Sequence, residues 1–362
     1  VTLDRIIRLQ KILEPGQYFY ISNLINVRYL CGFSGSSAAL LVGKSTATLA
    51  TDSRYEIQAN EQVPDVETVI GRNFPDLLLR KIANSEIFVE GDKLPVNTFQ
   101  NLSEIFKHKF TTTSGVVESF RSVKDNSEVE LIKTACEIAE SAFLDVIKSI
   151  KIGQSEKYIR NVLERRMREL GADDIAFESI VAAGSNSAIP HHEPTEKPVE
   201  AGDFLKIDFG AKLSGYHSDC TRTVILGKPA DWQIDLHSAV SAAQLAGRNE
   251  IRAQIRFSDV EKVVNQSLTE SGYREFFTHG LGHGVGLEIH EEPFFGRAGD
   301  AKIASNTVIT IEPGAYLKDK GGVRVEDTIV VNSQGYQNLT NLPYELLEIY
   351  NSTLLTTCTI HT

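Results

Sequence analysis

The stretch Asp203–Val224 reads DFLKIDFGAKLSGYHSDCTRTV. Phe204, Leu205, Ile207 and Phe209 suit a half-buried strand, Leu213-Ser214-Gly215-Tyr216 a tight turn, and Cys220 to Val224 a β-branched return strand. The acids inside it, Asp208 and Asp219, have their midpoint at 213.5, within the turn. In an even antiparallel hairpin, residues symmetric about the turn lie opposite each other on one face. Two carboxylates are therefore expected to meet across the ladder. Like charges there repel, and a cation between them reverses that sign.

The pattern returns a hundred residues later. VITIEPGAYLKDKGGVRVEDTIVV, from Val308 to Val331, reads as a second strand pair, with Glu312 and Glu326 symmetric about residue 319 in the Lys318-Asp319-Lys320-Gly321 turn. One such pair is most simply a solvated surface. Two pairs, each centred on its own turn in strands of buried character, point to four carboxylates around one or two metal ions.

Thr278 to Pro293 reads THGLGHGVGLEIHEEP and holds His279, His283 and His290, three of the nine histidines in the chain. Its alternating Gly280, Gly282, Gly284 and Gly286 make a poor helix and a costly strand, so the backbone there passes close to something. The run fits neither GxxxxGK[ST] nor GxGxxG, and HExxH is absent, which argues against a nucleotide loop and a thermolysin-like zinc helix. Carboxylates with one imidazole form a hard, oxygen-rich donor set suited to Mn²⁺, with Co²⁺ or Zn²⁺ as alternatives. Two bridged ions would activate water, and the chemistry expected is hydrolysis.

Composition bounds the rest. The 362 residues suggest two domains, and 41% apolar with 23% charged residues is ordinary for a globular protein. A net charge of −11 argues against a nucleic-acid partner and against an anionic membrane surface. No apolar run approaches the roughly 20 residues that span a bilayer. The opening VTLDRIIRLQKIL has an amphipathic-helix pattern rather than that of a signal peptide. Cys31, Cys136, Cys220 and Cys358 are scattered without a CxxC pair, which suits a cytoplasmic location.

Along the chain, residues 1–121 read as an α/β domain. QYFYIS, VRYLCGF, SAALLVG, TATLATD, VETVI and EIFVEG are expected strands, with helices at Tyr55 to Gln62 and Phe99 to His108. The polar run ESFRSVKDNSE, Glu118 to Glu128, marks the boundary. Asn126 or Ser127 is expected to cap a helix running to about Ile150, followed by helices near 155–170, 231–253 and 258–271. His191 and His192 fall in a Gly/Ser/Pro-rich loop, and the last fifteen residues read as a frayed tail.

KIDFG, SDCTRT, GLGHGVG, TIEPG and VRVEDT each match a motif block of the "pita-bread" metallopeptidases, which include methionine aminopeptidase, prolidase and aminopeptidase P. The chain resembles that family over about residues 122 to 347. NVRYLCGFSGSSAALLV and ATDSRYEIQA resemble the N-terminal domain of prolidases and especially of aminopeptidases P, which a methionine aminopeptidase lacks.

The resemblance implies an α+β fold: a pita-bread (creatinase/aminopeptidase) domain over 122–362 behind a smaller creatinase-like α/β domain over 1–121. It implies two divalent ions held by Asp208, Asp219, His283, Glu312 and Glu326, with Asp219 and Glu326 bridging. His191 and His290 would contact substrate and stabilise the tetrahedral intermediate, Glu312 would shuttle a proton, Arg324 would sit beside the metals, and His279 would form pocket wall. Whether His191 or His192 points inward stays open.

The activity implied is an Xaa-Pro aminopeptidase that attacks with a metal-bridging hydroxide. The alternatives are an Xaa-Pro dipeptidase and a non-catalytic binding protein of the same fold. The partner implied is a peptide with proline second, and the assembly a homodimer.

Overall fold

The computed structural model describes residues 2–350. The chain divides between Arg121 and Ser122 into two compact units. Cys358 and most of the tail expected to fray lie outside the described residues.

The first unit is built on a six-stranded sheet. Its order is Glu67–Ile70, Ala47–Thr51, Ala38–Gly43, Gln17–Ile21, Glu86–Glu90, Lys109–Thr113. The centre is antiparallel and the flanks are parallel. Ala38–Gly43 is buried along its whole length, as a central strand covered on both faces must be.

One expected strand is wrong. VRYLCGF falls in the helix Leu24–Cys31 and its cap. The Asn23 side chain accepts from the N–H groups of Ile25 and Asn26, and Gly32 ends the helix at φ 86°. An N-cap and a left-handed glycine on either side of an 8-residue helix outweigh the strand preference of Val27 and Tyr29. The helix Phe74–Leu79, capped by Asn73, and the edge strand Lys109–Thr113 were not expected.

The second unit pairs helices with sheets twice over. Helices Asn126–Ile147 and Glu156–Glu169 pack on a four-stranded sheet ordered Glu348–Ile349, Cys220–Leu226, Phe204–Phe209, Ile180–Ala183. Helices Asp231–Glu250 and Phe257–Glu270 pack on a five-stranded sheet ordered Glu291–Phe294, His283–Gly284, Val308–Ile311, Asp327–Asn332, Gly335–Asn338. A separate hairpin joins Gly314–Leu317 to Gly321–Arg324. The first long helix is capped by Asp125 in a capping box with Glu128, one residue before the expected Asn126.

The first acidic hairpin differs in register from the expectation. Asp208 pairs with Thr221 and Phe209 with Cys220, so Asp219 is not directly opposite Asp208. The turn centres on Ser214 and Gly215, both at positive φ (48° and 84°), as a two-residue hairpin turn requires. The slip is by two residues, so both acids keep the same face and become diagonal neighbours. In the second pair, Ile311↔Asp327 on one side and Gly314↔Arg324 on the other bracket Glu312 and Glu326. The ladder opens between those pairings. The Glu312 N–H bonds Leu281 O at 2.9 Å, and the Glu326 N–H bonds Thr221 O at 3.1 Å.

Candidate active site

The two sheets bring Asp208, Asp219, His283, Glu312 and Glu326 to the floor of a cleft of about 540 Å³. Two groups of donor atoms there share Glu326: Asp208, Asp219 and Glu326, and His283, Glu312 and Glu326. In each, the donor atoms lie within 4.8 Å of one another. A third group of the same tightness joins Asp219 and His283 to His290.

The charges of this floor are not balanced by protein alone. Burial, then the charges of Glu326 and Asp208, pushes the Asp219 carboxyl well above its ordinary value. Burial, then Glu312 and Asp208, does the same to Glu326. Burial chiefly, with a smaller push from Asp208, raises Glu312 to about 8 against the pull of Arg324. Burying like charges side by side is costly unless a cation joins them.

The histidine gives the sharper test. His283 Nδ1 bonds the Gly284 carbonyl at 3.0 Å, and a carbonyl only accepts, so Nδ1 carries the proton. The Nε2 lone pair then faces Asp219 Oδ2 and Glu312 Oε1, each at 3.5 Å. Burial, then His290, lowers this ring to about 4, so it stays neutral. The ring lone pair and two carboxyl groups therefore converge on one point, and Asp208 Oδ1 is buried without a hydrogen-bond partner. A carbonyl-oriented imidazole among carboxylates is a divalent-metal donor set, and these residues fit such an ion.

Threonines and an arginine hold the acids in place. Thr221 Oγ1 donates to Glu326 Oε2 at 2.6 Å and accepts from Arg324 Nε at 3.0 Å. Thr310 Oγ1 lies 3.3 Å from Glu312 Oε1 and accepts the His283 N–H at 3.1 Å. Thr328 Oγ1 donates to the Asp219 carbonyl at 2.7 Å. Arg324 also donates to Asp208, to Tyr316 Oη at 3.1 Å and to Pro190 O at 3.2 Å. Its guanidinium lines the cleft but faces protein acceptors.

The remaining histidines separate by direction. His191 and His290 line the cleft and are exposed, with the His290 ring 4.4 Å from that of His283. His192 is buried and bonds Glu156 Oε2 through Nε2 at 2.8 Å, so of the two neighbours His191 points inward. His279 lies in the wall, with Nδ1 on Gly280 O and Nε2 on Tyr316 Oη, both at 2.8 Å. Its ring nitrogens are thus committed to protein, and burial lowers it to about 4. Phe177, Ile180 and Phe294 give the cleft an apolar side.

Reading the sequence did not single out Thr221, Thr310, Tyr316 or Glu156. Thr221 and Thr310 stand two residues from Asp219 and Glu312, so strand parity put them on the acids' face. Nothing in the sequence marked Tyr316 or Glu156.

Residues 130–333 match the profile of "Metallopeptidase family M24", and residues 5–123 that of "Creatinase/Prolidase N-terminal domain". The chain belongs to metallopeptidase family M24. It has the fold of that family, a creatinase/prolidase N-terminal domain followed in the chain by a pita-bread domain. It is 32% identical to the Xaa-Pro dipeptidase of Pyrococcus furiosus, over 95% of this chain and 99% of the relative. Among solved structures it is similar to an Xaa-Pro dipeptidase from Bacillus anthracis, with TM-score 0.92 and 35% identity over 96% of this chain and 100% of the other. It is also similar to an X-Pro aminopeptidase from Thermotoga maritima, with TM-score 0.87 and 37% identity over 95% and 99%. No helix among the described residues is long and apolar enough to cross a membrane.

Proposed function

We propose that this M24 metallopeptidase is an Xaa-Pro aminopeptidase, which removes the first residue from peptides with proline second. The observation that carries the reading is the cleft: an acid-and-imidazole floor beside Phe177, Ile180 and Phe294, with His191 and His290 exposed above it. A space of about 540 Å³ falls within the roughly 300–1,000 Å³ of ordinary ligand pockets. It leaves room beyond a pyrrolidine ring. Such an apolar side suits that ring, and the Xaa-Pro bond has no N–H to present to an ordinary protease.

Asp208, Asp219 and Glu326 would hold one divalent ion, and His283, Glu312 and Glu326 the other, with Asp219 reaching both. Manganese suits the oxygen-rich set, with cobalt or zinc as alternatives. When bound, the ions supply Lewis acidity, which makes water nucleophilic near neutral pH and polarises a carbonyl. His191 and His290 donate to the oxygen that gains charge as the carbonyl becomes tetrahedral. Glu312 takes the proton of the attacking water and returns it to the proline nitrogen. Arg324 keeps Asp208 and Tyr316 in place. Residues 122–362 carry this chemistry, residues 1–121 form the creatinase-like domain, and the chain works as a homodimer in a reducing compartment.

The second reading is an Xaa-Pro dipeptidase. Arg297 favours it, because this exposed cation lines the cleft with no ion pair among the described residues. The deciding experiment is hydrolysis of Xaa-Pro against Xaa-Pro-Yaa by metal-free protein to which manganese, cobalt or zinc is returned. The aminopeptidase reading expects a higher kcat/KM for the longer peptide. Efficient cleavage of dipeptides with longer peptides untouched would establish the dipeptidase instead.

A further inference from the structure

His191 is the only residue of Pro190-His191-His192 whose side chain lines the cleft, and both its neighbours are pinned by buried charges. Before it, Lys206 Nζ donates to Ile189 O at 2.6 Å and to Pro190 O at 3.1 Å. After it, His192 is held by Glu156.

Glu156 has no exposed surface and opens the helix Glu156–Glu169. Its Oε1 accepts from Ala183 N at 2.8 Å and Asn186 Nδ2 at 2.9 Å. Its Oε2 accepts from His192 Nε2 at 2.8 Å, Thr195 N at 2.9 Å and Thr195 Oγ1 at 2.7 Å. Burial alone would raise this carboxyl, but the donors from Ala183, His192, Asn186 and Thr195 outweigh it and hold it below its ordinary value. One carboxylate thus ties both ends of the 183–195 loop and its middle to a single helix terminus. A buried charge this fully satisfied rigidifies whatever it bonds, and here that is the segment that aims His191.

We infer that Glu156 is the positioning residue of His191, fixing the loop through His192 and Thr195 so that the His191 imidazole faces the reacting carbonyl. The inference rests on the role given to His191 under the proposed function. Misplacing a catalytic group by about 1 Å costs on the order of 10²-fold in rate. Glu156→Gln keeps the shape but turns an NH₂ group toward donors, so at least one bond on that side is lost.

The test is a double-mutant cycle of Glu156→Gln with His191→Ala on the metal-loaded enzyme, with metal content measured for each variant. A residue acting through His191 loses its effect once His191 is gone. The expected result is a fall in kcat/KM of about 10²-fold for Glu156→Gln alone, no further fall when it is added to His191→Ala, and wild-type metal content throughout. Equal losses in both backgrounds, loss of metal, or wild-type activity in Glu156→Gln overturns the inference alone. Wild-type activity in His191→Ala overturns the role of His191 and this inference with it. If Glu156→Gln does not fold, His192→Ala removes one partner only, and the same non-additivity is expected of it.

Discussion

Thr221 stands directly across the ladder from Asp208, yet its hydroxyl donates to Glu326, 2.6 Å away. One side chain thus links the two acidic strand pairs. The same oxygen accepts from Arg324, which fixes the hydroxyl proton on Glu326. Thr221→Val keeps the shape and removes that donor. Loss of such a partner typically weakens metal binding by about 10–100-fold. Calorimetric titration of metal-free protein should show this fall, with the fold intact by circular dichroism. An unchanged affinity would mean that Glu326 needs no orientation.

Asp219→Asn should remove metal and activity together while making the metal-free protein more stable. Asp219 is buried, and the charges of Glu326, Asp208 and Glu312 all oppose its ionisation. An amide at that place relieves the repulsion but cannot neutralise a cation. Melting curves with and without manganese should show a higher Tm for the metal-free variant than for metal-free wild type, and a smaller gain on adding metal. A wild-type gain would sink the shared-ligand role.

His290→Ala separates a ligand from a donor. The ring lies close enough to Asp219 and His283 to join them on an ion, yet it is exposed and lines the cleft. With the carboxylates sufficient for binding, the variant should keep its metal stoichiometry and lose kcat by about 10²-fold, as for loss of an oxyanion donor. Metal analysis beside steady-state kinetics decides it, since metal lost in proportion to activity makes His290 a ligand.

A pH effect is expected from a histidine that does not line the cleft. Burial, then Arg222, lowers His237 to about 4 from an ordinary 6.5. Between those values the unfolded chain binds a proton that the folded chain refuses, so stability falls as pH drops through that window. At 1.36 kcal/mol per pKa unit, the contribution is at most roughly 3 kcal/mol. His237→Gln should therefore flatten the dependence of unfolding free energy on pH between about 6.5 and 4. Urea denaturation at several pH values checks this, and parallel curves would show that His237 is not the cause.

The cleft floor was legible because its acids, histidine and glycines recur in short motifs of fixed order. The register was less so. Asp208 and Asp219 were expected to face each other, but the positive φ of Ser214 and Gly215 sets the centre one residue later. The error left the face unchanged because strand parity survives an even slip. VRYLCGF misled for a different reason: its composition suits a strand, and only Asn23 and Gly32, which flank Leu24–Cys31, reveal the helix. Glu156 was illegible in principle. It is one glutamate at a helix start, and its partners at 183, 186, 192 and 195 become neighbours only when the loop folds over it.

Substrate length should turn on Arg297. Its guanidinium carbon sits 4.7 Å above the Phe294 ring, and both residues line the cleft. Arg324, the other arginine there, is spent on Asp208, Tyr316, Thr221 and Pro190. An entering carboxylate therefore finds its free cation in Arg297, pre-oriented by stacking. In an Xaa-Pro dipeptide that carboxylate follows the proline directly, whereas in Xaa-Pro-Yaa it lies one residue further out. A hydrogen bond to a charged group contributes about 1.5–3 kcal/mol, so Arg297→Ala should raise KM for Xaa-Pro by roughly tenfold or more. Because the contact persists unchanged through the reaction, kcat should hold. C-terminally amidated Xaa-Pro-Yaa carries no carboxylate and should be cleaved as by wild type. Equal KM changes for the dipeptide and the amidated peptide would show that Arg297 shapes the cleft wall rather than reading the charge.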